Sequence, residues 1–302
     1  MRHGETGPAL VVGGDSLVGS AIQAHCRGLG LPVEVSSRRP GAGQGPDAFF
    51  LDLGDPDFTP LARRQYAVAF ICAAVTSMQA CQAEPGRTRQ INVVNTIELM
   101  RRLADRGTHL VFLSSSQVFD GERSAPGEDA ATGPKNEYGR QKLAVEEAIS
   151  REAMPAAILR PTKILADHPV GVFKGWFEAL TSGRPVHAAT NLALSPVMVG
   201  DVATAAERLA AGRHCGIWHL GSSDDIVYWD AARLMAEMRR LPSSLVLGEA
   251  LTEAQVPAIY RHRHVTLCCE KIARGLAIPA RRARDILGVL FSGFPPAATS
   301  GV

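Results

Sequence analysis

The chain has 302 residues, a net charge of +2, 21% charged residues and 46% hydrophobic residues. That is enough for one large α/β unit or two intimate domains, and the charge bias is too small to imply a nucleic-acid or anionic-membrane partner. The polar opening MRHGETGP has no apolar signal core and the longest apolar run, Ala67–Val75, is too short to cross a bilayer, so a cytoplasmic protein is expected.

Ala9–Gly13 (ALVVG) reads as a buried strand closed by glycine. Gly14-Asp15-Ser16-Leu17-Val18-Gly19 comes next, then a helix to about Gly30. Strand, glycine-rich turn and helix is the context of a dinucleotide site: glycine lets the backbone approach a pyrophosphate, which rests on the helix N-terminus. Gly13 and Gly19 keep a GxxGxxG spacing with Ser16 in the middle place, a pattern that an ordinary βα turn also fits. Pro32–Ser36 is a second strand. NAD sites commonly end it on an acid that holds the ribose 2′-hydroxyl. Here Ser37, Arg38 and Arg39 come after Ser36. Hydroxyl and guanidinium groups suit a 2′-phosphate, so NADP(H) is expected over NAD(H), with a basic surface turn as the alternative. Residues 41–46 read as a flexible loop.

Ala48–Leu53 is a third strand, with Asp52 placed to bond an adenine amino group and Asp55 or Asp57 to cap the next helix. Tyr66–Ala74 is a fourth, and its small residues Ala73 and Ala74 leave room for a cofactor to cross the sheet edge. Ile91, Val94, Leu99 and Leu103 predict one long helix over Glu84–Asp105. Thr108–Ser114 is a fifth strand. Strands and helices alternating at this pace predict a doubly wound parallel sheet of the Rossmann type.

The stretch from His109 to Lys142 carries the chemistry. An apolar strand ends in Ser114-Ser115-Ser116, and Tyr138 and Lys142 lie four apart on the next helix, hence on one face. A free tyrosine titrates near about 10, and a lysine charge one turn away favours the phenolate and lowers that value. A serine hydroxyl alongside completes a proton-transfer site suited to interconverting C=O and CH–OH. The Gly- and Pro-rich segment 119–134 is a loop beside the site, and Pro134 is expected to open the helix.

Met154–Arg160 is a sixth strand, stopped by Pro161. The strict alternation then fades. Val172–Ser182 predicts an amphipathic helix whose Trp176 and Phe177 read as core in preference to a homodimer face or a substrate lid. A short strand near Val186 comes next, then Leu194-Ser195-Pro196 before a helix capped by Asp201. Gly216–Leu220 is a strand that returns to the main sheet, Tyr228–Arg240 is a helix, and short helices and loops run on from Ser243. The expected division is a dinucleotide-binding domain over 1–160 and a smaller, mainly substrate-binding C-terminal domain over 161–302. The 6 cysteines form no CxxC pair and suggest reduced thiols; the 9 histidines are scattered, 261–264 reads as a solvated basic loop, and no metal site is expected.

With these residues in place, the chain resembles an extended short-chain dehydrogenase/reductase over nearly its whole length, and most of all the dTDP-4-dehydrorhamnose reductase-like branch that acts on sugar nucleotides. Ser114–Gly121 (SSSQVFDG) is similar to that branch's S-T-D-Y-V-F-D-G, and Leu159-Arg160-Pro161-Thr162, Leu194-Ser195-Pro196 and Gly216-Ile217-Trp218-His219-Leu220 look like its segments. The resemblance implies a catalytic set of Ser115, Tyr138 as the acid, and Lys142 on the nicotinamide ribose. It implies a pyrophosphate turn over Gly13, Asp15, Ser16, Leu17, Val18 and Gly19, an adenine flanked by Asp52 and Leu53, and a cofactor path past Ala73 and Ala74. Ser116 and Gln117 stand where the branch has Asp and Tyr, and Lys163 where it has an aromatic; with Ser195 these are the substrate-side positions. The implied activity is NADP-dependent reduction of a keto group on a nucleotide-linked deoxysugar. Two alternatives are kept: a sugar-nucleotide epimerase or dehydratase, and a non-catalytic regulatory subunit of the same fold.

Overall fold

The computed structural model describes residues 7–39, 47–62, 64–257, 260 and 262–295. The loop expected over 41–46 and Arg261 of the basic group lie outside them.

The chain begins β1 (Ala9–Val12), α1 (Leu17–Gly28), β2 (Val33–Ser37), β3 (Ala48–Phe50), β4 (Val68–Ile71). The third and fourth strands are shorter than the sequence suggests, and Asp57 caps no helix: only a single tight turn follows at Thr59–Leu61, with Phe58 in the cap position, and the Asp57 carboxylate accepts from the Thr59 N–H at 2.8 Å. The long helix expected over 84–105 is broken. Short helices α2 (Met78–Ala83) and α3 (Pro85–Arg89) lead into a wider, π-helical turn at Gln90–Asn95, and only then comes α4 (Thr96–Ala104). Apolar periodicity cannot register an inserted residue that widens a turn, and such turns gather at functional sites.

β5 (His109–Leu113) is buried along its length, and α5 (Glu137–Arg151) comes after it. The cap of α5 is Asn136, whose side chain accepts from the Gly139 N–H at 2.8 Å; Pro134 lies before it, so asparagine's side-chain acceptor and not proline's fixed φ opens this helix. Then come β6 (Ala156–Pro161), β7 (Lys163–Leu165), α6 (Gly171–Thr181), β8 (Val186–Ala189), β9 (Ala193–Leu194), β10 (Pro196–Met198) and α7 (Val199–Ala211). Asp201 does not cap α7, which already begins at Val199; it sits in the first turn, where it pairs with Arg281. The chain closes with β11 (Gly216–Leu220), β12 (Ile226–Val227), α8 (Tyr228–Arg239), β13 (Val246–Glu249), α9 (Glu270–Leu276) and α10 (Ala283–Ser292).

Seven parallel strands form the central sheet in the order β11-β6-β5-β4-β1-β2-β3, a doubly wound α/β fold of Rossmann type. Helices cover both faces, which is why the central strands read as unbroken apolar runs. Val11, Phe70 and Val111 pack toward α1 and α7; their neighbours Leu10, Ile71 and Phe112 pack toward α4 and α5. A separate core joins Phe173, Trp176, Phe177, Leu234 and Phe291 from α6, α8 and α10, with Trp176 edge-on to Phe173 at 5.5 Å. Trp176 is therefore core. No described helix is long and apolar enough to cross a membrane.

The direction of strand order reverses between β1 and β4. In such sheets the crevice outside the C-terminal strand ends at this point is where ligands bind. It is where Gly13, Cys72 and Ser114 emerge.

Candidate active site

The turn after β1 is closed too tightly for any residue but glycine at two places. Gly13 has φ +85°, and a Cβ at Gly19 would stand 2.2 Å from the Gly13 carbonyl oxygen. Ser16, in the middle place, ties the turn together. Its hydroxyl donates to Gly13 O at 2.8 Å and accepts from the Gly19 N–H at 3.0 Å, capping α1. The first helical N–H groups, at Leu17 and Val18, lack intrahelical acceptors by construction, and Ser16, Leu17 and Val18 line the cleft. A close backbone, donor groups and a helix N-terminus fit a dinucleotide pyrophosphate.

At the end of β2, Ser37 is buried and its hydroxyl donates to the Asp15 carboxylate, while Arg38 and Arg39 are exposed beyond it. Asp52 Oδ1 accepts from the Gly54 N–H at 2.8 Å, so that oxygen serves its own turn. Leu53 is packed in the core and its carbonyl accepts from Asn95 Nδ2 at 2.7 Å. Ala73 packs against Gly13. Cys72, Thr76 and Met78, which no sequence pattern singled out, also line the cleft.

The proton-transfer set converges. Ser115 ends the segment after β5 and its hydroxyl caps the tight turn at 116–118, accepting from the Gln117 N–H at 3.2 Å. Tyr138, on the first turn of α5, lines the same cleft as Ser115, whose hydroxyl lies near enough to act on the phenol. Lys142, only 5% exposed, donates from Nζ to the Leu113 carbonyl at 2.6 Å, with the Phe112 and Tyr138 rings 4.7 and 5.8 Å away.

The electrostatics correct one expectation. Burial pushes the Tyr138 phenol well above the ordinary range, with the neighbouring Cys81 adding to it, and the Ser115 hydroxyl offsets this only in part. Lys142 does not bring it down, because the lysine spends its ammonium on Leu113 O and is itself pushed down to about 8 by burial. Tyr138 is thus a neutral phenol near pH 7, a donor and not a phenolate.

Three supporting residues are invisible to sequence pattern. Gly139 stands next to Tyr138 because a Cβ there would lie 2.0 Å from the Gln117 carbonyl oxygen: α5 is pressed against the serine loop at that point. Asn136 both caps α5 and donates from Nδ2 to Gln117 Oε1 at 2.8 Å. One turn beyond Lys142, buried Glu146 accepts from Ser114 Oγ and holds Arg160 of β6 at 2.5 Å. The strand end and α5 therefore meet at three successive turns of the helix: Ser115 with Tyr138, Leu113 with Lys142, and Ser114 with Glu146. Glu146 shares a helix face with Tyr138 and Lys142, but only the fold brings Arg160 opposite it. In the π-helical turn, Asn92 donates to Gln141 Oε1 at 2.8 Å and to Val75 O at 2.9 Å, tying α5 to the segment after β4.

The cleft has a volume of about 860 Å³. Ser116, Gln117, Lys163 and Ser195 line it, together with a segment of the C-terminal region that includes Gln255, Tyr260 and His262. Lys163 is exposed in the cleft wall. The Gln117 amide oxygen is engaged by Asn136, and the Ser195 hydroxyl bonds Ser222 Oγ at 2.7 Å.

A family model, the RmlD substrate binding domain, matches residues 8–292. The chain belongs to this family. Among curated proteins, its RmlD-family sequence is 25% identical over 297 residues to the probable low-salt glycan biosynthesis reductase Agl14 of Haloferax volcanii, covering 95% of this chain and 98% of that protein. It is 26% identical over 219 residues to methionine adenosyltransferase 2 subunit beta of Pongo abelii, covering 67% of this chain but only 62% of that subunit. Among solved structures, the RmlD fold seen here superposes on the dTDP-4-dehydrorhamnose reductase of Bacillus anthracis in complex with NADP, with a TM-score of 0.82 at 17% identity, over 96% of this chain and 100% of that one.

Proposed function

We propose that the protein is a reductase of a keto group on a nucleotide-linked deoxysugar, a short-chain dehydrogenase/reductase that uses NADP(H) in preference to NAD(H). The observation that carries this reading is the meeting of Ser115, Tyr138 and Lys142 beside the glycine turn in one cleft. Agl14 is a probable reductase and the Bacillus anthracis structure holds NADP, which supports the same reading.

The nicotinamide cofactor, bound across the glycine turn, supplies the hydride. The chain's residues do the rest. Ser115 Oγ and the Tyr138 hydroxyl hold the substrate's carbonyl oxygen, and Tyr138 delivers its proton there as the C–O bond gains charge. Lys142 holds the nicotinamide ribose and returns the proton balance to Tyr138. Ser37, Arg38 and Arg39 receive the 2′-phosphate. Lys163 offers a charge to the phosphates of the sugar nucleotide, and Ser116, Gln117 and Ser195 shape the sugar end. An epimerase or dehydratase ranks lower, because neither Ser116 nor Gln117 is an acid or base. The match to the methionine adenosyltransferase subunit favours a second reading, a regulatory subunit with no turnover.

The test is a fluorescence titration with NADPH and NADH, repeated with dTDP-4-keto-6-deoxyglucose present. Oxidation of the cofactor on adding the sugar is the expected result. Cofactor binding with no oxidation of any nucleotide-linked keto sugar, and co-purification with a partner enzyme, would replace the reductase by the regulatory reading.

A further inference from the structure

The adenosine side of the cleft carries an acid, in the pyrophosphate turn, whose carboxylate the NADP(H) reading leaves without a role. Asp15 stands in the turn between β1 and α1 with its side chain 34% exposed. Its carboxylate accepts from the hydroxyl of Ser37, a residue 22 positions away at the end of β2. Arg39 closes the group: its backbone N–H donates to Ser37 Oγ at 3.0 Å, and its Nε lies 3.7 Å from Asp15 Oδ1. The hydroxyl and guanidinium proposed to receive a 2′-phosphate are thus already facing a carboxylate. The end of β2 lacks the acid that commonly holds a ribose 2′-hydroxyl, but the fold brings one to the same place from the neighbouring turn.

We infer that Asp15 sets the balance between the two nicotinamide cofactors, its carboxylate accepting the 2′-hydroxyl of NAD(H) and opposing, as a like charge, the 2′-phosphate of NADP(H). The inference rests on the dinucleotide reading of this cleft. A 2′-phosphate entering here must draw Ser37 and Arg39 away from Asp15 while standing beside a fixed negative charge. Arg38 and Arg39, both exposed, outnumber the one carboxylate, so NADP(H) keeps an advantage, but a narrow one. Asp15 is free to act in this way because the turn is held by other bonds: Ser16 to Gly13 and Gly19, and the Gly14 N–H to the Ser36 carbonyl at 2.9 Å.

The experiment is the dissociation constant of NADPH and of NADH, each titrated by fluorescence against wild type, Asp15→Asn and Arg39→Ala, at fixed ionic strength. The expected result is that wild type binds both, and that Asp15→Asn widens the ratio in favour of NADPH by at least about tenfold, the scale of one hydrogen bond to a charged group. Arg39→Ala moves the ratio the opposite way by weakening NADPH alone. An Asp15→Asn ratio equal to that of wild type, or an equal weakening of both cofactors, would overturn the inference while leaving the dinucleotide reading intact. Wild-type protein that binds neither cofactor would overturn both.

Discussion

Tyr138, Lys142 and Glu146 occupy one face of α5, and each has a different electrostatic position. Tyr138 is a neutral phenol, and replacing it by phenylalanine removes the proton donor without changing the wall of the site. Tyr138→Phe should bind NADPH as wild type does and lose about 10²–10⁴ in turnover, as loss of a general acid does; near-normal turnover would reject its assigned role. Lys142 is pushed down from its ordinary 10.5 to about 8, first by burial, with Cys72, Glu146 and Cys81 acting to raise it. Its charge is present below about 8 and lost above, so reduction should decline as pH rises through about 8, with Tyr138 still protonated there. The stability consequence has the opposite direction. Between about 8 and 10.5 the unfolded chain holds a proton on this lysine that the folded one has released, so folding stability gains with pH. Chemical denaturation of wild type and Lys142→Met across that window should show the difference moving in favour of wild type. Glu146 and Arg160 are 4% and 2% exposed. Removing one partner leaves the other charge buried, and Glu146→Leu alone should cost about 3–5 kcal/mol in denaturant unfolding, part of it recovered when Arg160→Met is added.

At the scale of elements, α5 against the serine loop is the decisive contact. Helix α5 is held at its start by Asn136 and brought close by Gly139, whose missing Cβ leaves room for the Gln117 carbonyl. Backbone cannot yield as a flexible side chain can, so Gly139→Ala must move the first turn of α5, and Tyr138 with it. Displacement of a reacting group by this much is costly to turnover. Gly139→Ala should therefore lower kcat by more than it raises the dissociation constant for NADPH; a stability loss with unchanged kcat would mean the contact is structural only. Asn136→Ala should cost about 1 kcal/mol as a lost cap. The helix was legible from Tyr138 and Lys142, but its closeness to Gln117 was not, since a Tyr-Gly pair in sequence looks like a weak helix start. The same holds for the π-helical turn at Gln90–Asn95, where a regular apolar period hides a change of helical pitch.

For the whole molecule, the cleft lies at the sheet's change of strand order, between elements drawn from both halves of the chain. A ligand that binds only the folded cleft stabilises it by mass action, about 2.7 kcal/mol at a hundredfold excess over Kd. NADPH at that excess should raise the melting temperature by several degrees, and no rise would argue against the dinucleotide reading. The sequence by itself determined the alternating strands and helices, the glycine turn, the serine strand end and the Tyr138/Lys142 face, because these rest on local periodicity and on spacings within one element or its neighbour. It also carried the family resemblance through short contiguous motifs. Tertiary structure alone decided what those residues do to one another. Burial made Tyr138 a neutral acid where sequence spacing predicted a lysine-lowered one, and Arg160 made Glu146 a buried tie. The chain's path past β2 set Asp15 against Ser37 and Arg39. Charge and burial act through space, and the separations that matter here, 14 residues from Glu146 to Arg160 and 22 from Asp15 to Ser37, are closed only by folding.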